Sequence, residues 1–156
     1  HTLAIDCATE SCSVAWLEGN TVVAGECRIL GRGHAEHLIP MISALPGRAD
    51  RIAVSLGPGS FTGVRIGLAA ARALALAWKV PALGFPTLAL VAAMARERAG
   101  PQTVSVAMTG GHGEWFVQDF DAGGQPVSML ASLKPDDAAQ AARSPLVAGS
   151  QAEALV

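Results

Sequence analysis

The chain has 156 residues, of which 51% are hydrophobic and 15% charged, and a formal net charge of -2. That length holds one domain with a real core or two small lobes, and it excludes two full-sized domains. The slightly acidic balance excludes a protein that grips nucleic acid alone through its phosphates, so any contact with RNA would need a partner.

An ordinary soluble domain has about a quarter charged residues, so apolar surface is left over here. The mean hydropathy of +0.37 raises the question of a membrane span. The longest uncharged run, Val80 to Ala95, is broken by Pro81, Gly84 and Pro86, whereas a span needs about 20 unbroken apolar residues. No membrane is therefore expected, and the spare apolar surface points to a protein partner. The cysteines are Cys7, Cys12 and Cys27, an odd count without a Cys-x-x-Cys pair, and the chain opens directly into the strand-like Thr2-Leu3-Ala4-Ile5. They read as reduced thiols in the cytoplasm, small apolar fillers on strands rather than metal or redox groups.

In chain order, Leu3 to Ile5, Ser11 to Leu17 and Thr21 to Ala24 alternate as strands do and form an antiparallel meander around the turn Glu18-Gly19-Asn20. His34 to Leu45 places Leu38, Met41, Ile42 and Leu45 at helical spacing, with Pro40 loosening it. Ile52 to Leu56 is a buried strand. A glycine turn leads into a long helix ending near Trp78, and Ala82 to Phe85 is a further strand. Thr87 is expected to N-cap a helix over Leu88 to Arg98 that stops at Gly100 and Pro101. Beyond it come strands at Val104 to Ala107, Glu114 to Phe120 and Val127 to Leu130, a helix over Asp136 to Ala142, and the strand Leu146 to Ala148.

Both halves read strand, strand, strand, helix, strand, with hairpin turns "LEGNTVV" and "FDAGGQPV" at corresponding places. Duplication explains this, and it implies mixed sheets with helices packed on them. The boundary is expected at residues 101 and 102, giving lobes 1–101 and 102–156. The second copy stops at "GSQAEALV", where the first has its glycine turn and long helix, so the second lobe is expected to be incomplete.

Gly57, Gly59 and Gly63 lie between a strand and a helix, a place where free amides and the helix dipole favour an anion. Gly63 is followed by Val64-Arg65 rather than the Lys-Ser/Thr of a Walker loop, Thr62 stands where a dinucleotide fingerprint needs glycine, and Ser60 lacks the flanking glycines of a nucleophile elbow. A tight turn and close helix approach is the other use of such glycines. The helix itself has only Arg65, Arg72 and Lys79 as charges, a heptad apart. A helix facing water on one side carries a polar face, whereas this one is apolar nearly all round. It is therefore expected to be covered twice, by its own sheet and by a partner, together with the apolar face of the His34 helix. His34 and His37 share a helix face and suggest a metal site with the distant His112, but the His-Glu-x-x-His spacing of zincins is missing.

"LAIDCATESCSVAWL", "HAEHLIPMI" and "AVSLGPGSFTGVRIGLAAARALALAWKVPALGFPTL" resemble, in order and spacing, the bacterial TsaB (YeaZ) family. Its members accompany the TsaD transferase in making N6-threonylcarbamoyladenosine in tRNA next to the anticodon. The likeness is close over the first hundred residues and loose after Thr103. The resemblance implies a duplicated actin-like, Hsp70-like (RNase H-like) α/β fold of two lobes, and a cytoplasmic, non-catalytic subunit. Its partners would be TsaD, TsaE and tRNA through the complex, and a second copy as a homodimer. Carried over, the contact positions are Leu38, Met41 and Ile42 on the first helix and Val64, Leu68 and Ala71 on the second. Asp6, Gly57, Gly59 and Ser60 are the candidate nucleotide or anion residues, with ATP and Mg²⁺ expected only at a joint interface with TsaD. "DCATES" lacks the glycines of actin-like phosphate hairpins, and "MTGGHGE" lacks an acidic start. The rival readings are an ATP-dependent small-molecule kinase of the same fold and a metallopeptidase-like relative.

Overall fold

The computed structural model describes all 156 residues, which fall into two compact units, His1–Phe85 and Pro86–Val156. The first contains β1 (Thr2–Asp6), β2 (Ser11–Glu18), β3 (Thr21–Ile29), α1 (His34–Ser43), β4 (Arg51–Ser55), α2 (Phe61–Trp78) and β5 (Ala82–Phe85). Its sheet runs in the order β3-β2-β1-β4-β5. The meander β1-β2-β3 is antiparallel, and β4 and β5 are added in parallel beside β1. Side chains alternate across a strand, so Leu3, Ile5, Cys12, Val14, Trp16, Ile52 and Val54 gather as buried residues on one face. α1 and α2 pack side by side over that core. Pro40 sits inside α1 without ending it.

The second unit contains α3 (Thr87–Ala99), β6 (Val104–Thr109), β7 (Trp115–Phe120), β8 (Ala131–Leu133), α4 (Pro135–Ala141), β9 (Leu146–Ala148) and a closing 3-10 turn, Ala152–Leu155. Its sheet is ordered β8-β7-β6-β9. As in the first unit, three antiparallel strands are followed by a helix and by a strand parallel to the first of the three. The buried hydroxyl of Ser105 on β6 donates to Asp119 on β7 and accepts the backbone N–H groups of Arg143 and Ser144, fixing the link between α4 and β9.

Three sequence expectations change. The units part at Phe85 and Pro86 rather than at residue 101, because α3 packs on β6, β7 and β9 and buries Leu88 and Ala92 there. Pro86, not Thr87, takes the N-cap position of α3, and Thr87 is a buried first helical residue. Val127 to Leu130 is not a strand. Pro126, which has no N–H to give a ladder, makes an isolated bridge to Phe120, and the Ser128 hydroxyl takes the N–H of Asp119, so regular pairing begins only at Ala131.

Glycines seat α2 on the sheet. A Cβ on Gly59 would lie 2.0 Å from the carbonyl oxygen of Ala8, and one on Gly63 would lie 2.0 Å from that of Cys7. The second unit has the same device: a Cβ on Gly149 would lie 2.2 Å from the Ala107 oxygen, and the following Gln151 N–H donates to that oxygen as Ser60 N–H does to Ala8. Gly63→Ala is expected to lower the free energy of unfolding by about 2 kcal/mol or more, in the overpacking range, whereas Gly111→Ala, with open space around it, leaves it nearly unchanged. Urea titration of both variants measures the difference.

Candidate functional site

Three connections converge at the carboxyl end of β1. The β1–β2 hairpin, Cys7 to Glu10, is held on one side by the link between β3 and α1: the carbonyl of Glu10 accepts the N–H groups of Leu30 and Gly31. The buried His34 ring, at the first residue of α1, donates through Nε2 to the carbonyl oxygens of Thr9 (2.9 Å) and Ser11 (3.2 Å). On the other side the glycine turn after β4 closes on the hairpin, Ser60 N–H donating to Ala8 O at 2.7 Å. Ser60 then caps α2, its hydroxyl accepting from Gly63 N–H at 3.1 Å.

Asp6 ends β1 within this junction. Its Oδ1 accepts the Ala8 N–H at 2.9 Å. Burial pushes its carboxyl above the ordinary carboxylate range, and the hydrogen bonds from Ala8 and Ser55 offset only part of that. Asp6, Gly59 and Ser60 thus meet at Ala8 of the hairpin, and Gly57 lies against Val64 at the start of the same turn. The space beside Gly59 and Gly63 is filled by the chain's own carbonyls, and the amides of Ser60 and Gly63 already have acceptors. The histidines do not gather as ligands. His37 donates through Nδ1 to Gly33 O, and no three His, Cys, Asp or Glu side chains come together as a metal set.

The partner positions divide. Leu38, Met41 and Ile42 of α1 and Ala71 of α2 are core residues of the first unit, 1 to 8% exposed, and present nothing outward. Periodicity alone could not tell which of two apolar helix faces meets the sheet. Val64 and Leu68 are half-buried, Leu68 against the same core. The outward face of α2 is instead Phe61, Arg65, Ala69, Arg72, Ala73, Leu76 and Ala77, and that of α1 is Ala35, Glu36, Ile39 and Ser43. Phe61 and Leu76 are 70% and 82% exposed, and the Arg65 guanidinium stacks over the Phe61 ring at 3.5 Å. α2 buries only Gly63, Gly67 and Ala71. By length and composition it could cross a membrane, but here it is the crossover from β4 to β5 and lies along the sheet.

The family model described as TsaD, tRNA N6-adenosine threonylcarbamoyltransferase, matches residues 28–155. The chain is 36% identical over 125 residues to the tRNA threonylcarbamoyladenosine biosynthesis protein TsaB of Escherichia coli (strain K12), covering 76% of this chain and 54% of that protein. It superposes on YeaZ from Pseudomonas aeruginosa with a TM-score of 0.78 at 33% identity, over 86% of this chain and 67% of that one. The chain belongs to the TsaB (YeaZ) family. It spans about half the length of the curated TsaB relatives it matches. The ethanolamine utilization protein EutJ from Carboxydothermus hydrogenoformans, at 13% identity and a TM-score of 0.50 over 85% of this chain and 52% of that one, shares the fold alone. That fold is the actin-like α/β one implied by the resemblance.

In this TsaB-family chain Asp6 is buried at a cost. The folded chain holds the Asp6 proton more tightly than the unfolded chain does, so the ionised side chain opposes folding at neutral pH, and that penalty shrinks as the pH falls through the folded pKa and is gone below the unfolded one. Asp6→Asn keeps an acceptor for Ala8 N–H. It is expected to raise the Tm at neutral pH, with the gain shrinking as the pH is lowered through the carboxylate range. A Tm below that of the parent at neutral pH would mean that the carboxylate stabilises the hairpin instead.

Proposed function

We propose that this chain is the TsaD-binding part of a non-catalytic subunit that supports the formation of N6-threonylcarbamoyladenosine in tRNA. The observation that carries it is α2: a long apolar helix that fully buries only two glycines and an alanine, packs Ile66, Leu68, Leu74 and Trp78 partly against its own core, and leaves Phe61, Ala69, Ala73 and Leu76 outward beside Arg65 and Arg72. An apolar face of this kind marks an interaction site. Alanines on it let a second helix come close, and the adjoining outward residues of α1, with Ile39 half-exposed, extend it toward a helical bundle. The names of the TsaB relatives supply the process. The match to the TsaD family model suggests a partner of the same fold, docking helix against helix. On this reading TsaE and tRNA meet the chain only through the complex, in the cytoplasm, and a second copy competes for the same helices. ATP and Mg²⁺ enter, on this reading, at the joint interface, since the chain's own carbonyls fill the space beside Gly59 and Gly63 and the Ser60 amide is bonded to Ala8.

The outward residues give the test. Leu76→Glu and Ala73→Glu place a charge in the apolar contact, where it cannot be desolvated without large cost. They are expected to leave the circular dichroism and Tm near those of the parent and to weaken TsaD binding by about 30-fold or more, the size of a hot-spot loss of about 2 kcal/mol. Leu38→Glu, a core change, is expected to abolish cooperative unfolding. Undiminished co-elution of TsaD with the folded Leu76→Glu chain would overturn the proposed face. Magnesium-dependent ATP turnover by the isolated chain would support the kinase reading instead.

A further inference from the structure

We propose that Cys7 and Cys12 form a redox pair that closes into a cross-strand disulfide at the base of the β1–β2 hairpin. β1 and β2 are in antiparallel register through Asp6 and Ser13, so the next opposed positions are Cys7 and Cys12. Opposed residues of an antiparallel pair hold their Cβ atoms about 5 Å apart, near the separation a disulfide uses. The two sulfurs are 3.8 Å apart, and both residues are buried. Bonding needs an approach of about 2 Å, to the S–S length of about 2.05 Å. The hairpin is held in place for it by the hydrogen bonds of Glu10 to Leu30 and Gly31 and of His34 to Thr9 and Ser11. Cys27 does not compete: it lies exposed on β3 opposite Ser13, in the alternate set of side chains.

The chemistry selects the oxidant. Burial pushes both thiols up, so the thiolate is scarce, and a bulky disulfide such as oxidised glutathione has no path to the sulfurs. The oxidant is instead a small neutral peroxide. One thiolate attacks a peroxide oxygen of hydrogen peroxide, the O–O bond breaks, and a sulfenic acid and one water result once a proton is taken up. The second sulfur attacks the sulfenic sulfur and expels the hydroxyl as another water, its own thiol proton leaving with it. Two thiols and one peroxide thus become one disulfide and two waters. The sulfurs lose the two electrons that the peroxide gains. A thiol reductant reverses the step.

This proposal stands apart from the TsaD reading and is tested without it. Because Cys27 is exposed, Cys27→Ser is expected to fold normally. Treated natively with hydrogen peroxide, quenched, unfolded and alkylated with N-ethylmaleimide, that variant is expected to lose both alkylatable thiols, to yield a peptide linked through Cys7 and Cys12, and to recover both thiols with dithiothreitol. Its Tm is expected to rise on oxidation and fall back on reduction. Recovery of both thiols unchanged, or conversion of either to sulfinic acid without a link, would overturn the proposal. In the parent chain, a Cys27-linked dimer as the sole product would do the same.

Discussion

Two backbone carbonyls, those of Cys7 and Ala8, occupy the space where side chains of residues 63 and 59 would stand. Much of the first unit follows from that contact. It fixes the start of α2 against the end of β1, at a depth no residue but glycine permits. Beside it, the Ser60 and Gly63 amides, two of those that a strand–glycine–helix junction offers an anion, are bonded within the chain. The same glycines that make the segment look like a phosphate loop are what close it.

The low content of charge finds its place in the helix so seated. On the sheet side, Gly63, Gly67 and Ala71 are spaced four residues apart and let backbones meet. On the far side, Phe61 and Leu76 are left in water, while Ile66, Leu68, Leu74 and Trp78 pack partly against the core. A helix made apolar for its own sheet alone would not place a phenylalanine at residue 61 and a leucine at residue 76. Its two charges, Arg65 and Arg72, lie on that outward face among Phe61, Ala69 and Leu76, the Arg65 guanidinium stacked on the Phe61 ring.

Much of the fold was legible in the sequence, because its signals are local. The period-two runs gave the strands, the glycine turn and the heptad-spaced charges gave α2, and the repeated order of elements gave the duplication and mixed sheets seen in both units. What was not legible depended on three-dimensional choices. α3 carries no mark in its residues of which sheet it joins, and it joins the second. Val127 to Leu130 has strand-like residues, but a serine hydroxyl replaces a ladder bond there. Leu38, Met41, Ile42 and Ala71 have the spacing of a contact face and are one, turned inward. The approach of Cys7 to Cys12 was not legible because a spacing of five residues has no motif; only the hairpin register brings the two opposite each other.

The seat at Gly149 extends this reasoning. "DCATES" and "MTGGHGE" have almost no chemistry in common, yet in each half a glycine after the parallel strand lets a carbonyl in, and a nearby amide bonds it. What the two copies share at this junction is a missing methyl group, its place taken by a carbonyl, rather than any functional side chain. Such a contact asks for glycine at one position and nothing of the exposed residues around it, which leaves each half free to acquire its own surface while the chain path stays the same.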